Sequence, residues 1–179
     1  MRYAVFETEL GWVGVAASDA GLRAVVLPQP SPQAARQRLL AVAPPATEVD
    51  AAALGDLAER IRRYLRGEAV AFDDALDASG VGPFHRAVYE RLREVSRGQV
   101  ISYGALAEAV GRRGAARAVG QAMARNPWPI VVPCHRVVGG DGGLTGFGGG
   151  LELKRRLLAL EGATLPRAGA GAAVGPPSP

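Results

Sequence analysis

One cysteine is all the thiol this chain has. An internal disulfide is therefore excluded, and because secreted domains of this size commonly carry cysteines in pairs, a reducing compartment, the cytoplasm, is expected. Histidine is scarce too: there are two, and one of them, His135, adjoins Cys134. A closed zinc site needs four ligands, so no metal and no cofactor are expected. No stretch approaches the roughly 18 apolar residues of a membrane span. The start, Met1 to Glu7, reaches its first acid without a leader-like apolar run. What is plentiful is apolar surface, 48% of the residues, enough for one moderate core or two small ones.

The net charge of +4 is unevenly spread. Residues 1–81 hold 8 basic and 11 acidic side chains, and residues 82–179 hold 13 and 6. In the second part Arg112, Arg113, Arg117, Arg125 and Arg136 have only Asp141 as a local acid. Such a stretch attracts phosphate-rich partners, or is simply a solvated arginine face; charge alone leaves both open.

Along the chain, Tyr3–Glu7, Trp12–Ser18 and Leu22–Leu27 are short runs with valines and aromatics, broken at Leu10-Gly11 and Asp19-Ala20-Gly21. They predict an antiparallel meander. Ser31-Pro32 opens a helix, and Asp50 caps a second through Leu54, Leu57, Ile61 and Leu65 to Gly67. Composition and charge change between Asp73 and Gly82, which places a boundary there: a first domain over 1–80, a second over 81–165, and a Pro/Gly/Ala tail over 166–179 expected to be disordered. In the second domain Val88, Leu92 and Val95 mark one helix, Ser102 caps another closed by Gly111, and Ala115–Ala124 forms a third. The last two make a helix-turn-helix or an ordinary helical hairpin. An apolar, strand-like run, Ile130–Pro133, leads into Cys134. After it come a glycine-rich loop, Gly139–Gly150, and a last helix from about Leu151 to Glu161.

A single thiol packs well as a small hydrophobe, and that is one reading of Cys134. The other rests on its neighbours. Pro133 fixes the backbone, while His135 and Arg136 bring a base and a cation, surroundings that favour thiolate. In an extended chain adjacent side chains point opposite ways, so His135 would reach the sulfur only through a turn or a water. His85 reads as a surface or interdomain histidine.

Ile101-Ser102-Tyr103-Gly104, Ala115-Ala116-Arg117-Ala118-Val119-Gly120, Asn126-Pro127 and Ile130 through Val138 with Pro133-Cys134-His135-Arg136 at its centre resemble the O6-alkylguanine-DNA alkyltransferase (methylated-DNA–protein-cysteine methyltransferase) family. The resemblance extends through Gly149-Gly150, Lys154 and Leu157-Leu158 to Glu161-Gly162, about half the chain. It implies an α+β fold: a small RNase H-like sheet-plus-helix domain, then a mainly helical, winged helix-turn-helix-like alkyltransferase domain. It implies DNA repair by single-turnover transfer of the alkyl group from O6-alkylguanine to the cysteine, with O4-alkylthymine a second candidate substrate.

By that resemblance Cys134 is the nucleophile, His135 the base acting through a water, Glu161 the residue orienting His135, Tyr103 the proton donor to the departing guanine, and Asn126 the brace of the turn before the cysteine. Double-stranded DNA is the implied partner, held through its minor groove with the damaged base rotated out. Arg117 fills the vacated space. Ala115, Ala116, Ala118, Gly120 and Ala122 are small enough to let the helix approach a groove only about 6 Å wide, though alanine also simply favours helix. Tyr103 and Met123 complete the DNA-facing set. Met123, Pro129, Val137, Phe147 and Gly148 line the implied pocket; relatives often place tyrosine and a small hydroxylic residue at the last two positions, which bears on bulky alkyl groups. The zinc ligands that some relatives carry near the start are missing. Competing readings are a lesion-binding relative without chemistry, which typically lacks the cysteine, a helix-turn-helix regulator, and a cysteine hydrolase, which would turn over.

Overall fold

A computed structural model describes residues 1–43 and 45–165, so the tail expected to be disordered, 166–179, lies outside the described residues. Two units divide them: Met1–Ser79 together with Pro127–Val131, and Gly80–Asn126 together with the chain from Val132 onward.

In the first unit β1 (Arg2–Thr8), β2 (Gly11–Ser18) and β3 (Gly21–Gln29) form the expected antiparallel meander. A two-residue β4 (Thr47–Glu48) pairs parallel with β1, giving the order β3-β2-β1-β4. The helix α1 (Pro32–Val42) starts where Ser31 accepts a hydrogen bond from the amide of Ala34. Its Leu39 packs so closely on Gly14 that a Cβ there would lie 3.2 Å from the leucine methyl. Tyr3, Ala16, Ala24 and Val26 share that face of the sheet with Leu39 and Ala43.

The second helix differs from its expected form. Asp50 caps only a 3-10 turn, Ala51–Leu54, and α2 (Leu57–Leu65) starts afresh after Gly55. Gly55 has φ +79°, a conformation that stops a helix and favours glycine. α2 buries Leu57, Ala58, Ile61 and Leu65, and Arg62 lays its guanidinium 4.9 Å over the Phe6 ring.

Distant segments cover the outer edge of β3. Asp77 donates its amide to the Leu22 carbonyl, and the same carbonyl accepts the indole N–H of Trp128 at 2.8 Å. Val25 donates to the carbonyl of Pro127. This protects an edge that would otherwise invite pairing. The run Ile130–Pro133 is not a strand: it is turned, and Ile130 has φ +78°. Prolines at 127, 129 and 133 remove the amides a strand would need. The positive φ of a β-branched residue is backbone strain held by burial, Ile130 being 2% exposed.

The second unit is mainly helical: α3 (Pro83–Arg93), α4 (Tyr103–Ala109), α5 (Ala116–Ala124) and α6 (Gly150–Leu160). A short parallel pair, β5 (Ile101–Ser102) and β6 (Val137–Val138), joins segments far apart in sequence. Ser102 caps α4 by accepting from the Ala105 amide. Val88, Tyr89, Leu92, Leu106, Val119, Ala122, Leu157 and Leu158 are buried. No helix among the described residues is long and apolar enough to cross a membrane.

Candidate active site

Cys134, His135 and Arg136 form a single 3-10 turn, not the end of a strand. Pro133 has no amide to donate and already bends the chain, so the turn closes from the Arg136 amide back to the Pro133 carbonyl at 2.9 Å. A 3-10 turn steps neighbouring side chains by about 120°, which removes the opposed orientation expected of an extended chain. Cys134 is 6% exposed and His135 fully buried.

Two donors meet the Val132 carbonyl, the amide of Cys134 at 2.8 Å and Nδ2 of Asn126 at 2.9 Å. Asn126 thus ties the end of α5 to the residue two before the cysteine. Burial pushes the Cys134 thiol up, while a hydrogen bond from Asn126, the charge of Lys154 and the amides of Cys134 and His135 act to favour thiolate. The net is a thiol protonated at rest, with acceptor-stabilising groups already in place.

Nε2 of His135 lies 2.8 Å from Oε1 of Glu161, the residue just past the end of α6. Arg136 grips the same carboxylate in a fork, Nη2 to Oε1 at 2.8 Å and Nε to Oε2 at 2.9 Å, and donates also to the Val95 carbonyl. Burial works to raise Glu161, but the hydrogen bonds and charges of His135 and Arg136 outweigh it and hold the carboxyl well below its usual range. An ionised carboxylate only accepts, so Nε2 carries the imidazole proton and Nδ1 is the basic nitrogen. Burial lowers the basicity of His135, against the opposing pull of Glu161. Beside Glu161, Gly98 has φ +79°, and a Cβ there would lie 3.1 Å from the Glu161 carbonyl oxygen.

Lys154, the chain's one lysine, is wholly buried. Its ammonium donates to the carbonyls of Val137 at 2.6 Å and Thr145 at 3.0 Å, tying β6 to the glycine-rich loop. Burial lowers it to about 8, with Cys134 acting the other way. Thr145 also donates to the Tyr103 hydroxyl at 3.2 Å. From α3, Tyr89 donates to the Ala122 carbonyl at 2.7 Å, and burial raises its phenol to about 12. The sequence assigned no role to Lys154, Thr145 or Tyr89. A lysine at 154 on the same helical stripe as Leu157 and Leu158 was the available signal for the first.

On α5, Arg117 is exposed and Ala115, Ala116, Ala118 and Gly120 are partly so. Ala122 was expected on that outer face; it is fully buried, with Val119 and Met123 beside it at helical spacing. One arginine leaves the expected basic set: Arg136 is bound to the buried Glu161, whereas Arg113 pairs with Glu108 at 3.2 Å but stays 91% exposed. Val137 is buried, Phe147 partly exposed and Gly148 exposed. Pro129 belongs to the first unit. Among the described residues no cluster of three or more His, Cys, Asp or Glu offers a metal site.

Two family models match the chain. Residues 83–163 match the 6-O-methylguanine DNA methyltransferase DNA binding domain, and residues 1–78 match the ribonuclease-like domain of the same proteins. A methylated-DNA–protein-cysteine methyltransferase of Shigella flexneri is 49% identical over 108 residues, which cover 60% of this chain and 63% of that protein. One of Methanosarcina acetivorans is 35% identical over 162 residues, covering 90% of this chain and 99% of its own length. Among solved structures, OGT of Mycobacterium tuberculosis in complex with DNA superimposes with a TM-score of 0.75 at 34% identity, over 90% of this chain and 93% of that one. The match runs through both units, sheet and helices alike, and the chain belongs to the 6-O-methylguanine DNA methyltransferase family.

Proposed function

We propose that this protein repairs DNA by moving the alkyl group of O6-alkylguanine onto the sulfur of Cys134, once per molecule. One observation carries the reading: the chain's single thiol sits in a buried turn whose next residue is hydrogen-bonded to an ionised carboxylate. Nδ1 of His135 takes the thiol proton through a bridging water, and Glu161 steadies the imidazolium. The thiolate attacks the alkyl carbon in line; the new S–C bond forms as the C–O6 bond breaks, and its electron pair leaves with the guanine. The Tyr103 hydroxyl delivers a proton to that guanine, and the proton held by His135 makes good the loss. A thioether does not hydrolyse under mild conditions, so the protein is spent.

A thiol this buried reaches a base only when the base leaves the stack. Double-stranded DNA is therefore the substrate, bound through its minor groove by the small residues of α5, Ala115, Ala116, Ala118 and Gly120, with Arg117 occupying the space of the flipped nucleotide. Met123, Val137, Phe147 and Gly148 are the pocket residues, Met123 as a buried wall. Residues 81–165 act as the DNA-binding and alkyl-transfer domain and 1–80 as its ribonuclease-like companion. A working thiol also needs reducing surroundings, which favours the cytoplasm.

Incubation with a duplex containing O6-methylguanine, followed by digestion and mass measurement of the Cys134 peptide, tests the reading. A gain of one methylene is expected. An unchanged peptide with intact DNA binding would sink it, and repeated turnover would point to hydrolysis.

A further inference from the structure

Of the residues in the Cys134 turn, Arg136 has no part in the reaction as written, yet it grips Glu161 by both oxygens. Both carboxylate oxygens accept from its fork, and one of them, Oε1, is shared with His135. Bidentate pairing of this kind is the strongest way a guanidinium meets a carboxylate. In a Ser-His-Asp arrangement the carboxylate is there to stabilise the imidazolium when it forms. Here its charge is already balanced by a permanent cation before any proton reaches His135.

We propose that Arg136 is a positioning residue that fixes Glu161 against His135 and, by sharing its carboxylate, limits how strongly His135 draws the proton of Cys134. The inference rests on the alkyl-transfer reading and deepens it. The ionisable groups around His135 point the same way. Glu161 from the end of α6 favours its charged form, whereas Arg136 from its own turn and Lys154 from within α6 disfavour it. Tyr89 of α3, its phenol raised to about 12 chiefly by burial, stays neutral across the working range. A muted base leaves the buried sulfur protonated in the free protein, which protects it from stray electrophiles and oxidants, since the thiolate is the reactive form.

The chain has two histidines, so the experiment is clean. Protein labelled with carbon-13 histidine is titrated by NMR as wild type, Arg136→Gln and Arg136→Lys, with His85 as the internal control. Glutamine removes the charge and the fork, and the His135 midpoint should rise by about one unit, a tenfold change in proton affinity. Lysine keeps a charge but grips one oxygen, and the rise should be smaller, about half a unit. His85 should not move. The acidic limb of the rate of transfer from free benzylguanine should shift with the His135 midpoint, a displacement that mere loosening of the turn does not produce. If Arg136→Gln does not fold, the direction of the shift in Arg136→Lys decides. A His135 midpoint unmoved in the folded variants would overturn the role of Arg136, while wild-type protein still alkylated by damaged duplex would leave the repair reading intact. Wild type that is never alkylated would sink that reading whatever the titration shows.

Discussion

Nζ of Lys154 donates to the carbonyl oxygen of Val137 across 2.6 Å, inside a site where neither group meets solvent. The same ammonium holds Thr145, and Thr145 touches Tyr103. A charged donor buried against the Val137 carbonyl, and bonded as well to the more exposed carbonyl of Thr145, ties β6 to the glycine-rich loop. Lys154→Met keeps length and volume but takes the ammonium donor from the buried Val137 carbonyl. The expected cost is about 2 kcal/mol of stability, the range for buried groups left unsatisfied, with a slower transfer from benzylguanine because the cation near Cys134 is gone. Urea unfolding and single-turnover kinetics measure the two; a variant as stable and as fast as wild type would contradict the bracing role.

Acid should weaken the fold in two stages. His135 is held below its ordinary value of 6.5, so the unfolded chain binds its proton first, and stability present above that pH is lost as pH falls toward the depressed folded value. Glu161 is likewise depressed from 4.5, so its contribution is present above that value and is lost on further acidification, as pH falls toward its own folded value. Both signs are the same: each group binds more protons when unfolded. Denaturant melts between pH 7 and 4 should therefore fall from about 6.5 downward, and His135→Gln should flatten the upper part of that slope. A wild-type profile level from pH 7 to 5 would exclude it.

Asn126 is the joint between α5 and the Cys134 turn. Asn126→Ala removes the Nδ2 contact to Val132 and the hydrogen bond that favours the thiolate, but the Cys134 amide still satisfies the Val132 carbonyl. Stability should drop by only about 1 kcal/mol. Transfer should slow by about tenfold or more, because a misplaced nucleophile loses rate faster than a fold loses stability. A loss of about 1 kcal/mol leaves nearly all of the protein folded. A benzylguanine rate about tenfold slower in the folded variant therefore marks a misplaced thiol, whereas a rate that falls only as far as the folded fraction does would mark general damage.

The legible parts of this chain were those written locally. Ser31 and Ser102 announce their helices by capping them, and the breaks at Gly11 and Gly21 mark the meander. Illegible were pairings made at long range. β4 is two residues long and exists only because β1 lies beside it, and β6 because of β5. Prolines every few residues turned an apolar run from strand to turn. At the site, Cys134-His135 is legible as a thiol beside a base, but Glu161 lies 26 residues on and only the family resemblance points to it. Nothing local says that Arg136 bends away from solvent to hold that carboxylate. In the sequence its charge is indistinguishable from those of the surface arginines, because sequence carries sign but not direction.

Arg117 stays with that surface set, and its test separates extrusion from chemistry. Its side chain is exposed on α5, so truncation should change stability by no more than about 0.5 kcal/mol. Free benzylguanine needs no base rotated from a helix, whereas a duplex does, and unstacking costs a few kcal/mol unless something fills the gap. Arg117→Ala should therefore slow repair of duplex O6-methylguanine by about a hundredfold, the rate equivalent of a few kcal/mol, and leave the benzylguanine rate within about twofold of wild type. A single-stranded oligonucleotide, already unstacked in part, should fall between the two. Equal losses on free base and duplex would mean that Arg117 serves the pocket and not the vacated stack, and a loss that vanishes as salt is raised would reduce it to one more phosphate contact.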